Sequence, residues 1–169
     1  MGEYTIIIDI RPVDFDDEDA VDREIKAFRK KYASAAKEHA LVVSPIGQVY
    51  ELAGSSINVN IELVGKDALR NSRVIHNHTP KDKDSFSRDD FIKYFEYELN
   101  QLEIVSGELS NVMRYKGEPI TPNRAYELYN NAQHTNWQIA KDFRMSVEME
   151  QLEIMRQLSK TMKGLVFSE

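Results

Sequence analysis

Apolar positions along the first two thirds of the chain fall in short, mostly β-branched runs; beyond residue 122 they shift to a helical period. Residues 4–11 (YTIIIDIR) make a β-branched run closed by Pro12, which predicts a strand. Asp16 and Asp17 stand where a helix N-cap would be, and acids there also suit the helix dipole. Val21, Ile25, Phe28 and Tyr32 then recur at helical spacing before an Ala-rich stretch to Ala36. The pattern predicts one amphipathic helix over 17–37 with a Lys/Arg-rich C-terminal half. Residues 39–44 (HALVVS) read as a buried strand, turned at Pro45-Ile46-Gly47 and returned by 48–52 as its hairpin partner.

After Gly54, Ile57, Val59 and Ile61 alternate with polar residues, so 55–63 (SSINVNIEL) are expected to form a half-buried strand. Residues 66–71 suit one helical turn, and Arg73-Val74-Ile75-His76 a short strand that stops at the polar loop NHTPKDKDSF. Residues 81–84 within that loop read as solvated. Phe91, Tyr94, Phe95 and Leu99 share one face of a helix expected over 87–101. Two further strands are expected at 102–106 and 111–115, parted by Gly107.

From Pro122 to Met162 there is no Gly and no further Pro, which predicts one or two long helices. Ala140, Phe143, Val147, Ile154, Leu158 and Met162 keep one register, and Met145, Met149, Leu152 and Met155 widen the apolar surface. A methionine-bearing double face of this kind is core or partner-binding surface. His134 is expected at the surface of this region and Trp137 in the core. The order of strands and helices is an α+β pattern. It divides into a core over residues 1–118, including the N-terminal strand and helix, and a C-terminal helical extension over 119–169.

Composition narrows the function classes. The 169 residues are 41% hydrophobic and 30% charged, with seven Phe, eight Tyr and one Trp, so the chain can build a core. A net charge of −6 argues against a nucleic-acid backbone as main partner, and Arg29-Lys30-Lys31 is the one clear basic cluster. No cysteine is present, which removes disulfides and thiolate zinc sites. Any metal must therefore be held by His, Asp or Glu. No apolar run approaches the ~20 residues of a membrane span. The start MGEYTIIIDIRP has no basic n-region and carries an early acid, so it is expected not to be a signal peptide. A cytoplasmic location is the expectation.

The loop after the strand at 73–76 concentrates the chemistry. His76 and His78, at i and i+2 on a strand end, can face one side and share a divalent ion. Asp90, or its neighbour Asp89, on the first turn of the following helix can reach the same point. Two imidazoles and one carboxylate leave a fourth position open for water, as in catalytic rather than structural zinc sites. The bland readings are a surface His-x-His pair and a capping box in which Ser87 caps the helix and Asp90 reciprocates. His-Asn-His alone is no evidence for a nuclease of that name. His39 reads as a strand or surface histidine.

Taken in order, His76-Asn77-His78-Thr79-Pro80, a polar loop and Phe86-Ser87-x-x-Asp90 opening an amphipathic helix resemble the JAB/MPN (JAMM) metallopeptidase family. The likeness is to its RadC-like and phage-associated prokaryotic branches, patterned Glu…His-x-His-Pro…Ser-x-x-Asp, and it covers roughly residues 36–117. Thr79 departs from the pattern by separating His78 from Pro80. The resemblance implies a JAB/MPN-like (cytidine-deaminase-like) mixed sheet flanked by helices. It implies Zn2+ on His76, His78 and Asp90, Ser87 near the oxyanion, and a glutamate at the first core strand. Glu38 is the best candidate for that glutamate, with Glu51 and Glu62 competing.

The implied activity is hydrolysis of an amide or isopeptide bond in a peptide or protein tail, with Glu38 as general base. Ser87 is not expected to serve fully as both cap and oxyanion donor. The competing expectation is a non-catalytic JAB-like module of phage-assembly or RadC-like kind. It would work through the helices of 122–162, docking a partner or a second copy.

Overall fold

The computed structural model of the protein describes residues 4–80, 85–143 and 150–169. Residues 81–84, Met145, Val147 and Met149 lie outside the described residues, as do the side chains of Ala140 and Phe143. The chain is a mixed α+β fold built on a seven-stranded sheet. Its strands are β1 (Ile6–Pro12), β2 (His39–Ser44), β3 (Gln48–Ala53), β4 (Arg73–Asn77), β5 (Gln101–Ser106), β6 (Leu109–Tyr115) and β7 (Leu165–Ser168). The helices are α1 (Glu18–Tyr32), α2 (Lys66–Leu69), α3 (Arg88–Glu96), α4 (Pro122–Phe143) and α5 (Glu150–Thr161). The sheet order is β1-β3-β2-β4-β5-β6-β7, antiparallel throughout except for β4 beside β5.

The sheet separates two cores, because successive side chains on a strand point to opposite faces. Leu41, Val43, Val49 and Ile75 pack against Val21, Ile25, Phe28 and Tyr32 of α1. Ala40, Val42, Leu52 and Val74 face Phe91, Phe95, Tyr129, Ile154 and Leu158, under α3, α4 and α5. The helical spacing of Val21 to Tyr32 and of Phe91 to Phe95 thus corresponds to buried faces, as expected. Met155 and Met162 are core residues too. No helix among the described residues is long and apolar enough to cross a membrane.

Several expected elements change. Helix α1 ends at Tyr32, its last buried residue; the alanines beyond offer little apolar surface, and Ala35 instead donates its N–H to the Tyr32 carbonyl (3.1 Å). Helix α3 ends at Glu96 rather than 101. Glu98 takes a left-handed φ of 52°, and Asn100 N–H turns to the Ser72 carbonyl (2.9 Å), so Gln101 can enter β5. The strand expected over 55–63 is absent: both edges of β3 are already taken by β1 and β2. The Ser55 hydroxyl accepts from the N–H groups of Ile57 (3.2 Å) and Asn58 (3.1 Å), and a 3-10 turn follows at Ile61–Val64. Such local bonds replace a ladder. Trp137, expected inside, is 51% exposed, because α4 turns Ala125, Tyr129, Ala132 and Asn136 inward. His134 is exposed, as expected. Strand β7 has no counterpart among the expected elements; it pairs with β6 and puts Leu165 into the larger core.

Candidate metal centre

Strand β4 lies between β2 and β5, so its C-terminal end opens over the middle of the sheet. The His78 N–H continues the extended path by donating to the Val105 carbonyl (2.9 Å). His76 and His78 consequently project from one face. Their ring centroids are 5.1 Å apart, the planes inclined by 55°. Both residues are buried, at 6% and 3% exposure.

The third side chain comes from α3. Ser87 caps this helix: its hydroxyl accepts from the Asp90 N–H (3.1 Å), while its own N–H donates to Asp90 Oδ2 (3.0 Å). This capping box aims the carboxylate back over the helix start, toward the two imidazoles. Asp90 Oδ1 is 3.4 Å from His76 Nε2, and Asp90 Oδ2 is 3.8 Å from His78 Nε2. One ligand atom from each of the three residues lies within 4.8 Å of the others. Tetrahedral zinc with bonds of ~2.0–2.1 Å needs ligand atoms roughly 3.3 Å apart; His76 Nε2 and Asp90 Oδ1 match it, while His78 Nε2 lies nearer the other oxygen, Oδ2, and has to move to share an ion with them.

The electrostatics agree with this geometry. Burial pushes the Asp90 carboxyl up, but the facing His76 and His78 rings outweigh it and hold the group well below its usual range. Among the described residues neither ring nitrogen of His76 has a hydrogen-bond partner, although both are buried. Buried polar atoms are ordinarily satisfied, and a bound cation would satisfy Nε2. The donor set of two imidazoles and one carboxylate therefore fits a divalent transition metal such as zinc.

The neighbouring candidates sort themselves by face and partner. Asp89, with its side chain 74% exposed, pairs with Lys93 Nζ (3.1 Å) instead of the histidines. Burial would lower the Lys93 ammonium, but Asp89 and Glu62 outweigh it and raise it. Glu62 is engaged by the same Lys93 (3.1 Å). Glu51 points to the α1 side, where it accepts from the Tyr32 hydroxyl (3.0 Å) and Lys31 (3.3 Å). Glu38 has the parity of Ala40, whose Cα is opposite His76, so by register it falls across from His78 on the same face. It lines the cleft with His76, His78, Ser87 and Asp90. His39 lies outside the group and stacks on Tyr32 with centroids 4.0 Å apart.

Ser87 caps α3 through its hydroxyl oxygen and also lines the cleft; a hydroxyl that accepts one bond still carries a proton it can donate. Ile57, Val59 and Ile61 supply an apolar part of the lining. Ile57 is 83% exposed at the lip. A Cβ at Gly54 would collide with the Asn58 carbonyl and Val59, so glycine permits the tight return that presents this lining. Gly54-Ser55-Ser56 is the one local turn signal in this stretch, and the alternation that follows it is also compatible with a strand. Comparison with family models, with curated proteins and with solved structures finds no match to this chain.

Proposed function

We propose that the protein is a zinc-dependent metallopeptidase or isopeptidase with a JAB/MPN-like fold. The single observation that carries this reading is the convergence of His76, His78 and Asp90 from two elements on one point beside Glu38. His76, His78 and Asp90 would hold the ion. When bound, zinc supplies a Lewis acid and a water made acidic near neutral pH, which is the chemistry amide hydrolysis needs. Glu38 takes the proton of the attacking water and passes it to the leaving amine. Ser87 donates its hydroxyl proton toward the oxyanion that develops on the carbonyl, an interaction type worth about 3 kcal/mol. Ile57, Val59 and Ile61 seat the substrate, a peptide or protein tail lying across the cleft.

The experiment is metal analysis of the purified protein together with a peptide-cleavage assay. Stoichiometric zinc with zinc-dependent cleavage supports the proposal. A protein that takes up no zinc from a micromolar solution overturns it. In the non-catalytic alternative the helices of 122–162 dock a partner or a second copy; of their methionines, Met155 and Met162 are packed in the core.

A further inference from the structure

We infer that Asn77 is a positioning residue for Glu38; this rests on the reading of Glu38 as the general base. The β2–β4 ladder has its last pair at Ala40 and His76. Where the next pair would stand, the Asn77 side chain takes over. Its Oδ1 accepts from the His39 N–H (2.6 Å), and its Nδ2 donates to the Lys37 carbonyl (2.9 Å). One amide therefore grips the backbone on both sides of Glu38.

Three features make this more than a generic strand-end bond. Asn77 is fully buried, and its side chain projects from the face opposite His76 and His78. It sits between these two histidines in sequence, so one peptide segment supplies two metal-ligating rings and the clamp on the base. Beyond the clamp, Glu38 N–H donates to the Ser55 carbonyl (2.7 Å) and Gly54 N–H to the Glu38 carbonyl (2.8 Å). Glu38 is thus held from β4 by Asn77 and from the loop after β3 by its own backbone. Its side chain lines the same cleft as His78.

A general base must lie within hydrogen-bond reach of the proton it takes, and ångström-scale misplacement can cost ~100-fold in rate. Asn77→Ala removes both halves of the clamp. Asn77→Asp keeps the acceptor for His39 N–H and sets an oxygen against the Lys37 carbonyl.

The test compares wild type, Asn77→Ala, Asn77→Asp, Glu38→Gln and the double variant Asn77→Ala/Glu38→Gln. Asn77→Ala is expected to lower kcat on a peptide substrate about 10–100-fold, with KM and zinc affinity within about threefold of wild type. Asn77→Asp is expected to fall between the two. In the Glu38→Gln background, Asn77→Ala should add no further loss, because its effect runs through the base. An equal loss in both backgrounds, or parallel changes in zinc affinity and kcat, overturns the assignment.

A second readout needs neither metal nor turnover. In the metal-free protein, Asn77→Ala should speed amide exchange at His39 by tenfold or more and shift the Glu38 side-chain carbon resonances. If both stay as in wild type, the clamp is refuted even where the protein proves inactive. If wild type takes up no zinc while this readout moves as expected, the metallopeptidase reading falls and the hold of Asn77 on Glu38 stands. A variant too unstable to purify is replaced by Asn77→Asp, read by the same exchange and resonance measurements.

Discussion

Asp90 faces His76 across 3.4 Å while its second carboxylate oxygen is tied to the N–H of Ser87, so the same carboxylate caps α3 and closes the candidate metal centre. The site and the start of the helix are one structure. Ser87 cannot lose its cap without loosening Asp90, and Asp90 cannot turn away without exposing the helix end.

Zinc retention should follow these contacts residue by residue. His76→Ala and Asp90→Ala are expected to lose bound zinc on metal analysis after gel filtration. Asp89→Ala should keep it, because Asp89 pairs with Lys93. Unchanged zinc in both of the first two variants would remove the site.

Glu38→Gln is expected to keep zinc and lose hydrolysis by about 100- to 10,000-fold, the usual range for a positioned acid–base group. The check is kcat measured beside metal content. Full activity would transfer the base role to another residue.

Ser87 carries two roles that different substitutions can separate. Ser87→Ala should cost about 1 kcal/mol of stability through the lost cap and about 100-fold in kcat through the lost donor. Ser87→Asp restores a cap but has no proton to donate, so its Tm should recover while kcat does not. Joint recovery of Tm and kcat would make Ser87 a cap alone.

On the far face of the sheet, fully buried Glu103 accepts from Arg29 (Nε to Oε2, 3.0 Å) and from the Ser110 hydroxyl (2.9 Å). Removing one partner of such a pair leaves a buried charge, at about 3–5 kcal/mol; the exposure of Arg29 and the bond from Ser110 put the expectation near the low end. Arg29→Ala should therefore lower the urea midpoint strongly, and Arg29→Ala/Glu103→Gln should regain part of it. Equal midpoints for single and double variants would show that the charge was not the cost.

Stability should also fall on mild acidification through His39. Burial against Tyr32 lowers the imidazole from its ordinary 6.5, and the bond to the Lys37 carbonyl opposes this less strongly. A folded pKa below the unfolded one means that the folded chain binds fewer protons as pH drops past 6.5. This contribution is full above that pH and is lost on falling through the depressed folded value. Urea midpoints at about pH 7.5 and about pH 5.5 should differ more for wild type than for His39→Gln. Parallel profiles would assign the acid sensitivity elsewhere.

His76, His78, Ser87 and Asp90 could be picked out of the linear chain because each signal is local. A strand places i and i+2 on one face, and a Ser-x-x-Asp box folds its acid back over the helix start. The buried faces of α1 and α3 were legible for the same reason, since Val21 to Tyr32 and Phe91 to Phe95 repeat at the helical period. Ile57, Val59 and Ile61 also alternate as a strand would, yet they wall the cleft, because β1 and β2 occupy both edges of β3, the strand they follow. Strand β7 needs the edge of β6, and the exposure of Trp137 depends on which side of α4 meets α3 and α5. That Glu51 turns to Tyr32 and Glu62 to Lys93, while Glu38 shares the face of His78, likewise depends on partners from other elements and on the register of Ala40 against His76. All of these are contacts between residues distant in the chain, and side-chain periodicity carries no information about which partner a face will meet.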